Sequence, residues 1–334
     1  MPILLRKRSV LAVEADMEAR HDSVLMKEVL EALSPRPDET VVDATLGGAG
    51  HFKALLCALG AGGVIIGIDA DPAAVERGRE AYALDRRSNR PSAHLVNDNF
   101  RNLSRILERL HIAPVDKILF DLGWSGYQIA APRGFSFQND EPLFMNYDEN
   151  GATAADIVNS STEEALADLI FAYGEERFAR SIAHSIVRMR SKERILTTGA
   201  LVAAVLAGTP VWYQKRKIHP ATKTFQALRI AVNDELQSLH EGLGAALDAL
   251  APKGRLAIIS FHSIEDRIVK SILRDAVHAG LGSLSSKKPI VPTRGEILSN
   301  RRARSAKLRV FERVAVPAQI ESVPSHAPTF SYAR

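Results

Sequence analysis

The sequence predicts an α/β fold, a parallel sheet with crossover helices that is interrupted by a helical insertion. Three observations lead there. Short β-branched runs alternate with helical patterns over the first third of the chain. β-runs then vanish from about Ala131 to Ala251, and a buried-strand pattern returns at "GRLAIISFHS".

Taken in order, "ETVVDATL", "GGVIIGIDAD" and "DKILFDLG" read as strands, with "PAAVERGREAYAL" and "NLSRILERLHI" as the helices beside them. Strand–helix alternation of this kind argues for a parallel sheet. The strand runs are apolar on successive residues, as expected where both sheet faces are covered. The interruption is filled by the helical segments "STEEALADLIFAYG", "RFARSIAHSIVRMR" and "TFQALRIAVNDELQSL". After a Gly/Ser/Lys loop, "SAKLRVFERVAV" alternates through Leu308, Val310 and Val314 as one more strand. The expected division is a 1–20 extension, a discontinuous α/β domain at 21–130 and 251–320, a helical insertion at 131–250 and a 321–334 tail.

With 334 residues, 46% hydrophobic and 25% charged, the chain is long and apolar enough for a globular domain plus an insertion. A net charge of +4 leans basic without the excess of a nucleic-acid-coating protein. The single cysteine, Cys57, excludes an internal disulfide and a Cys-rich zinc site, and fits a reducing cytoplasm. No apolar run approaches the roughly 18 residues that span a bilayer, and charges interrupt "MPILLRKRSVLAVEADMEAR" where a signal peptide needs an apolar core. The expectation is a cytoplasmic protein with no membrane association.

Ligands of open α/β sheets bind at the carboxyl ends of the strands. "DATLGGAGHF" follows the first strand, and Gly47, Gly48 and Gly50 permit a tight turn and close approach of a ligand to the main chain. Asp69 ends the second strand, about 20 residues on, the spacing of an acid that accepts from ribose hydroxyls. Asp71 directly precedes Pro72 and reads as a helix N-cap, which leaves Asp69 for the ribose. "LGGAGH" lacks the G-x-G-x-x-G spacing that seats a pyrophosphate, which disfavours NAD and FAD. S-adenosylmethionine carries no phosphate and needs what these strand ends offer: backbone room, an acid, and an apolar wall for adenine at Phe100.

The motifs "DATLGGAGH", "GIDADPAA", "FDLG", "RGFSF", "YGEERFA", "HPATKTFQALRIAVNDEL", "GRLAIISFHSIEDRIVK" and "RSAKLRV" occur in one order from about His21 to Arg313. In them the chain resembles the RsmH (MraW) family, which methylates the exocyclic N4 amine of one cytidine in 16S ribosomal RNA of the small subunit. The resemblance implies a Rossmann-like class I S-adenosylmethionine-dependent methyltransferase domain. It carries cofactor contacts onto Ala49, Gly50, His51, Asp69, Phe100, Asp121 and Gln128, with no metal, and implies a homodimer. Ala49 stands where the family usually has glycine. "WSGYQ" at 124–128 stands where the family usually has Val-Ser-Ser-Pro-Gln, and "PLFMNYD" where it has Pro-Leu-Asp-Met-Arg-Met-Asp, so that Phe144, Asn146 and Tyr147 replace an acid, a base and a methionine near the expected substrate entrance.

A cytosine amine is a weak nucleophile because its lone pair is delocalised, so positioning and electrostatics carry such a reaction. Asp121 is the first candidate catalytic residue, as acceptor from the amine or from the cofactor's ammonium group. Ser125 can orient the base, and Trp124 or Tyr127 can stack on it once it leaves its own stack. His262 in "SFHSIEDR" reads as a structural histidine beside a local charge network of Glu265, Asp266 and Arg267.

From Val211 to Asn233 no acidic residue occurs, while Lys215, Arg216, Lys217, Lys223 and Arg229 accumulate among Trp212, Tyr213 and Phe225. That mixture suits phosphate contact and base stacking, as does the basic "SNRRARSAKLR". Phe225, Leu228, Val232, Leu236 and Leu239 follow one helical stripe and read as core, with Gln226, Arg229 and Asn233 on the polar face at a cleft edge. The rival readings are a methyltransferase acting on another RNA or a small metabolite, and a non-catalytic assembly factor that binds ribosomal RNA.

Overall fold

The computed structural model describes residues 23–123, 132–147 and 151–315. After α1 (Met26–Leu33), the chain runs β1 (Thr40–Asp43), α2 (Gly50–Ala58), β2 (Val64–Asp69), α3 (Pro72–Leu84), β3 (Ser92–Asn97), a 3₁₀ turn (Phe100–Asn102), α4 (Leu103–Leu110) and β4 (Val115–Asp121). These strands are parallel and stand in the order β3-β2-β1-β4. The chain steps outward from β1 to β3 and returns to β4 on the other side of β1. This reversal leaves a crevice at the carboxyl ends of β1 and β4.

Successive residues of each strand feed opposite layers, which explains the unbroken apolar runs. Val41, Ile65, Leu119 and Ile259 enter one core with α1 to α3. Val42, Ile66, Ile118, Phe120 and Ile258 enter the other, against α4, α11 (Glu235–Ala249) and α12 (Ser263–His278). The sheet resumes with β5 (Leu250–Ser260), parallel to β4, and is completed by β6 (Gly282–Leu284) and β7 (Lys307–Arg313): β7 pairs antiparallel with β5, and β6 pairs antiparallel with β7 at the edge, giving the full order β3-β2-β1-β4-β5-β7-β6. β3 and β6 are additions to the sequence reading: β3 is an edge strand with only Val96 fully buried, so its apolar signal is weak.

Between β4 and α11 lies a separate helical cluster built from α5 (Ala154–Ser160), α6 (Glu163–Gly174), α7 (Ala179–Arg190), α8 (Thr198–Ala207), a short α9 (Val211–Gln214) and α10 (Ala221–Asn233). Its own core includes Leu166, Ile170, Ile182, Leu201, Phe225 and Leu228. The stripe from Phe225 to Leu239 is not one helix: Asp234 takes φ 48°, ψ 42° and breaks it. Upstream of the break Phe225 and Leu228 pack in the insertion, while Leu239, Leu243 and Ala246 of α11 pack on the sheet. No helix among the described residues is long and apolar enough to cross a membrane. A further short helix, α13 (Arg294–Ser299), precedes β7.

Candidate active site

The glycine loop between β1 and α2 is shaped by two left-handed residues, Gly47 (φ 48°) and Ala49 (φ 59°). The second is the position where the chain carries alanine, at the entrance to α2. Such a backbone costs an L-residue about 1–2 kcal/mol, and Ala49 is fully buried in the core beneath the loop. The loop is fastened on three sides. Asp69 accepts from the Gly47 amide through Oδ2 (2.8 Å), Arg77 of α3 donates from Nε to the Gly47 carbonyl (2.9 Å), and the Asp121 amide donates to Thr45 Oγ1 (2.7 Å). Leu46 folds over β2 because Gly67 has no side chain: a Cβ there would lie 2.6 Å from Leu46 Cδ2.

An open cavity lies at the crevice, and Gly50, His51, Asp69, Phe100 and Asp121 all line it. Five of the seven predicted contacts therefore meet in one place. Ala49 does not line the cavity and contributes backbone shape only. Gln128, with Trp124, Ser125 and Tyr127, lies outside the described residues.

Asp69 is less free than its sequence position suggests. Besides Gly47 it accepts from the Asp71 amide through Oδ1 (2.9 Å), so each oxygen has one lone pair left for a ligand. Burial lifts its carboxyl from the usual range to about 6, against the pull of those two amides. Asp71 caps α3, accepting from the Ala73 amide with Pro72 in the first turn, as the sequence predicts.

Burial also lifts Asp121, to about 7, with the Gly123 amide opposing and Glu265 adding repulsion. Its Oδ1 is buried without a hydrogen-bond partner, and its Oδ2 lies 3.6 Å from His51 Nε2. Asp43, fully buried behind the loop, is raised well above its usual value, by burial first and then by the charges of Asp121 and Asp69. Phe100 meets Phe120 edge-on at 5.4 Å, and α11 comes so close that a Cβ on Gly242 would stand 2.6 Å from the Phe100 ring.

The opposite wall comes from residues around the Asp234 break. Asn233 donates to the Met145 carbonyl (2.7 Å) and accepts from the Tyr147 amide (3.0 Å). Tyr147 stacks on Phe135 at 5.6 Å and donates its hydroxyl to Glu235 (3.2 Å). Arg229 is buried and pairs with Glu235 at 2.8 Å, which removes it from the expected basic surface. His262 caps α12 in a reciprocal box with Glu265, the structural role expected of it. Burial works to raise Glu265, but His262 and Arg229 outweigh it and hold the carboxyl below its usual value. The expected local network of Glu265, Asp266 and Arg267 divides three ways: Glu265 binds His262, Asp266 binds Lys307 and Arg309, and Arg267 binds Glu175.

Ligating atoms of Glu235, His262 and Glu265 lie within 4.8 Å of one another. The Arg229 guanidinium already supplies positive charge there, 2.8 Å from Glu235 and 3.5 Å from His262 Nε2. Thr45, Arg77 and Glu235 give no signal in the sequence. Each acts through a partner distant in sequence, and only the spacing of Asn233 to a cleft edge gave a local signal.

Among the described lining residues Asp69, Asp121, Glu235 and Glu265 are acidic and none is lysine or arginine. Such a cavity favours a cationic ligand and opposes a pyrophosphate.

Comparison with known proteins adds independent findings. The model of the MraW methylase family matches residues 18–314. The chain is 47% identical over 298 residues to a protein of Deinococcus radiodurans named ribosomal RNA small subunit methyltransferase H, covering 89% of this chain and 91% of that one. A protein of Thermomicrobium roseum with the same name is 44% identical over 331 residues, covering 93% and 99%. Among solved structures, an O-methyltransferase from Bacillus cereus in complex with SAH aligns with a TM-score of 0.42 at 8% identity, over 92% of this chain and 90% of that one.

Proposed function

The chain belongs to the MraW methylase family, and from that premise we propose that it is an S-adenosylmethionine-dependent methyltransferase of the exocyclic N4 amine of a cytidine in 16S ribosomal RNA. The observation that carries this reading is the cavity at the β1/β4 crevice, bordered by the glycine loop, whose described lining includes four carboxylates and no lysine or arginine. The residues fit the cofactor: the ligand is a cation, and buried Asp121 Oδ1 has no hydrogen-bond partner among the described residues. When bound, S-adenosylmethionine supplies an electrophilic methyl group on a positive sulfonium.

Asp69 would accept from the ribose hydroxyls with its remaining lone pairs, and Phe100 would wall the adenine. The loop main chain at Gly47 to Gly50 would border the methionine portion. Asp121 accepts a hydrogen bond from the acceptor amine, holding its lone pair in line and stabilising the positive charge that develops on nitrogen. The buried carboxylates of the wall strengthen this electrostatic effect, because charges interact more strongly away from water. The reading carries with it a cytoplasmic location beside the RNA and a homodimer, which sedimentation measures.

The deciding experiment incubates purified protein with small ribosomal subunits and labelled donor, followed by nucleoside mass spectrometry. N4-methylcytidine is the expected product. A different methylated nucleoside would move the target, and no transfer with intact donor binding would favour the assembly factor. Gly242→Ala provides a local check. Its Cβ must displace the Phe100 ring, so donor affinity by calorimetry is expected to fall about tenfold while helix propensity improves by up to about 1 kcal/mol. Unchanged affinity would remove Phe100 from the adenine wall.

A further inference from the structure

An RNA substrate brings phosphates, and the cavity's described lining contains no lysine or arginine to receive them. The backbone of the RNA must therefore be held elsewhere. One basic surface is tied directly to the cavity wall. Glu175, at the end of α6, binds Ser263 and Arg267 at the start of α12, next to His262 and Glu265. Two residues further on, Arg177 opens a cluster of rings.

Arg177 lies 4.6 Å from the centroid of Trp212 and 4.8 Å from that of Phe178. Trp212 remains 56% exposed. Beneath it Tyr213 is fixed: its hydroxyl donates to the fully buried Glu176 at 2.6 Å, and the same carboxylate accepts from the Phe178 amide at 2.9 Å. The following residues Lys215, Arg216 and Lys217 are all exposed, and the stretch from Val211 to Asn233 contains no acid.

We propose that Trp212, braced by Arg177, is a stacking platform for an unpaired nucleotide of the RNA substrate, with Lys215, Arg216 and Lys217 receiving the adjoining phosphates. This rests on the RNA-methyltransferase reading above. An exposed indole on a fixed base offers a π-face to a base that has left its own stack, and the flanking charge is of the sign a polyanion requires. The surface is a second contact, outside the methyl-transfer cavity.

Anisotropy titrations with a labelled single-stranded RNA of mixed sequence, about 15 nucleotides long, test it across a salt series. Trp212→Ala is expected to weaken binding about 5- to 100-fold, and Trp212→Phe to retain most of the affinity. The triple change Lys215→Ala, Arg216→Ala, Lys217→Ala is expected to reduce the salt slope by about 2, at about 0.7 per phosphate released. Donor affinity by calorimetry stays at the wild-type value in all three, which reports an intact fold. If the unmodified protein binds RNA and Trp212→Ala binds it equally well with the same slope, the platform is overturned and the substrate reading stands. If the unmodified protein binds no RNA, the substrate reading falls and takes the platform with it. Loss of self-association in Trp212→Ala with unchanged RNA affinity assigns the surface to a second copy of the chain and overturns the proposal.

Discussion

Asp121→Asn is expected to lower the methyl-transfer rate by about 10²- to 10³-fold, the scale of removing one preorganised electrostatic group from an active site. The amide keeps the shape of the side chain but not its charge. Stability should move the other way. Burial raises the Asp121 carboxyl from 3.8 to about 7, so the folded state holds the proton more tightly than the unfolded chain. The charged form then costs stability progressively as pH rises through that window, and the cost is complete above about 7. The variant should therefore melt higher than the parent at pH 8, with the gap closing toward pH 5. Donor binding in the parent has the opposite trend: affinity for a cation should rise from pH 5.5 and level off above about 7, once Asp69 (about 6) and Asp121 are both ionised. Calorimetry across that range checks it. A flat affinity profile would remove both carboxylates from the donor site.

Asp69→Ala is the second large effect, expected to reduce donor affinity at least about 100-fold. Two losses combine. The ribose acceptor disappears, and the amides of Gly47 and Asp71 lose their partner, each costing about 1–3 kcal/mol if left unpaired in the interior. The loop then keeps the side-chain contacts of Arg77 and Thr45 and the Leu46 amide's bond to the Ile68 carbonyl. Asp69→Asn separates the two losses, since one carbonyl oxygen can replace only one of the two acceptors. Donor affinity near the parent's in Asp69→Ala would show the ribose assignment to be mistaken.

The parts of this site legible in the sequence are those written in local spacing. β1, β2 and β4 announce themselves because alternate residues serve two covered faces, and Asp69 and Asp121 are legible because each ends such a run. Asp71 and Pro72 spell out a helix start. What stayed hidden depends on partners far along the chain or on one residue's backbone angle. The apolar stripe through Val232 and Leu236 gives no sign of the break at Asp234, since each half keeps helical spacing while serving a different core. Arg229 looked like surface charge until Glu235, brought back by that break, paired with it. Thr45, ordinary in sequence, is recognisable only by the Asp121 amide that reaches it across two strands. Ala49 is the subtlest case. Its identity was noted, but its left-handed angle is a property of the finished loop.

The pairing of β4 with β5 joins Val115 to Leu250 across the entire insertion. During synthesis β1 to β4 emerge well before β5 exists, so one flank of the nascent sheet waits with its amides and carbonyls exposed to solvent and to other chains. The insertion's own core is assembled from neighbouring helices and can condense during that wait, whereas closure of the sheet is a non-local, slow event. Vectorial production thus dictates an order of maturation. The helical lobe is complete first, and the crevice acquires its second wall only when the last third of the polypeptide arrives.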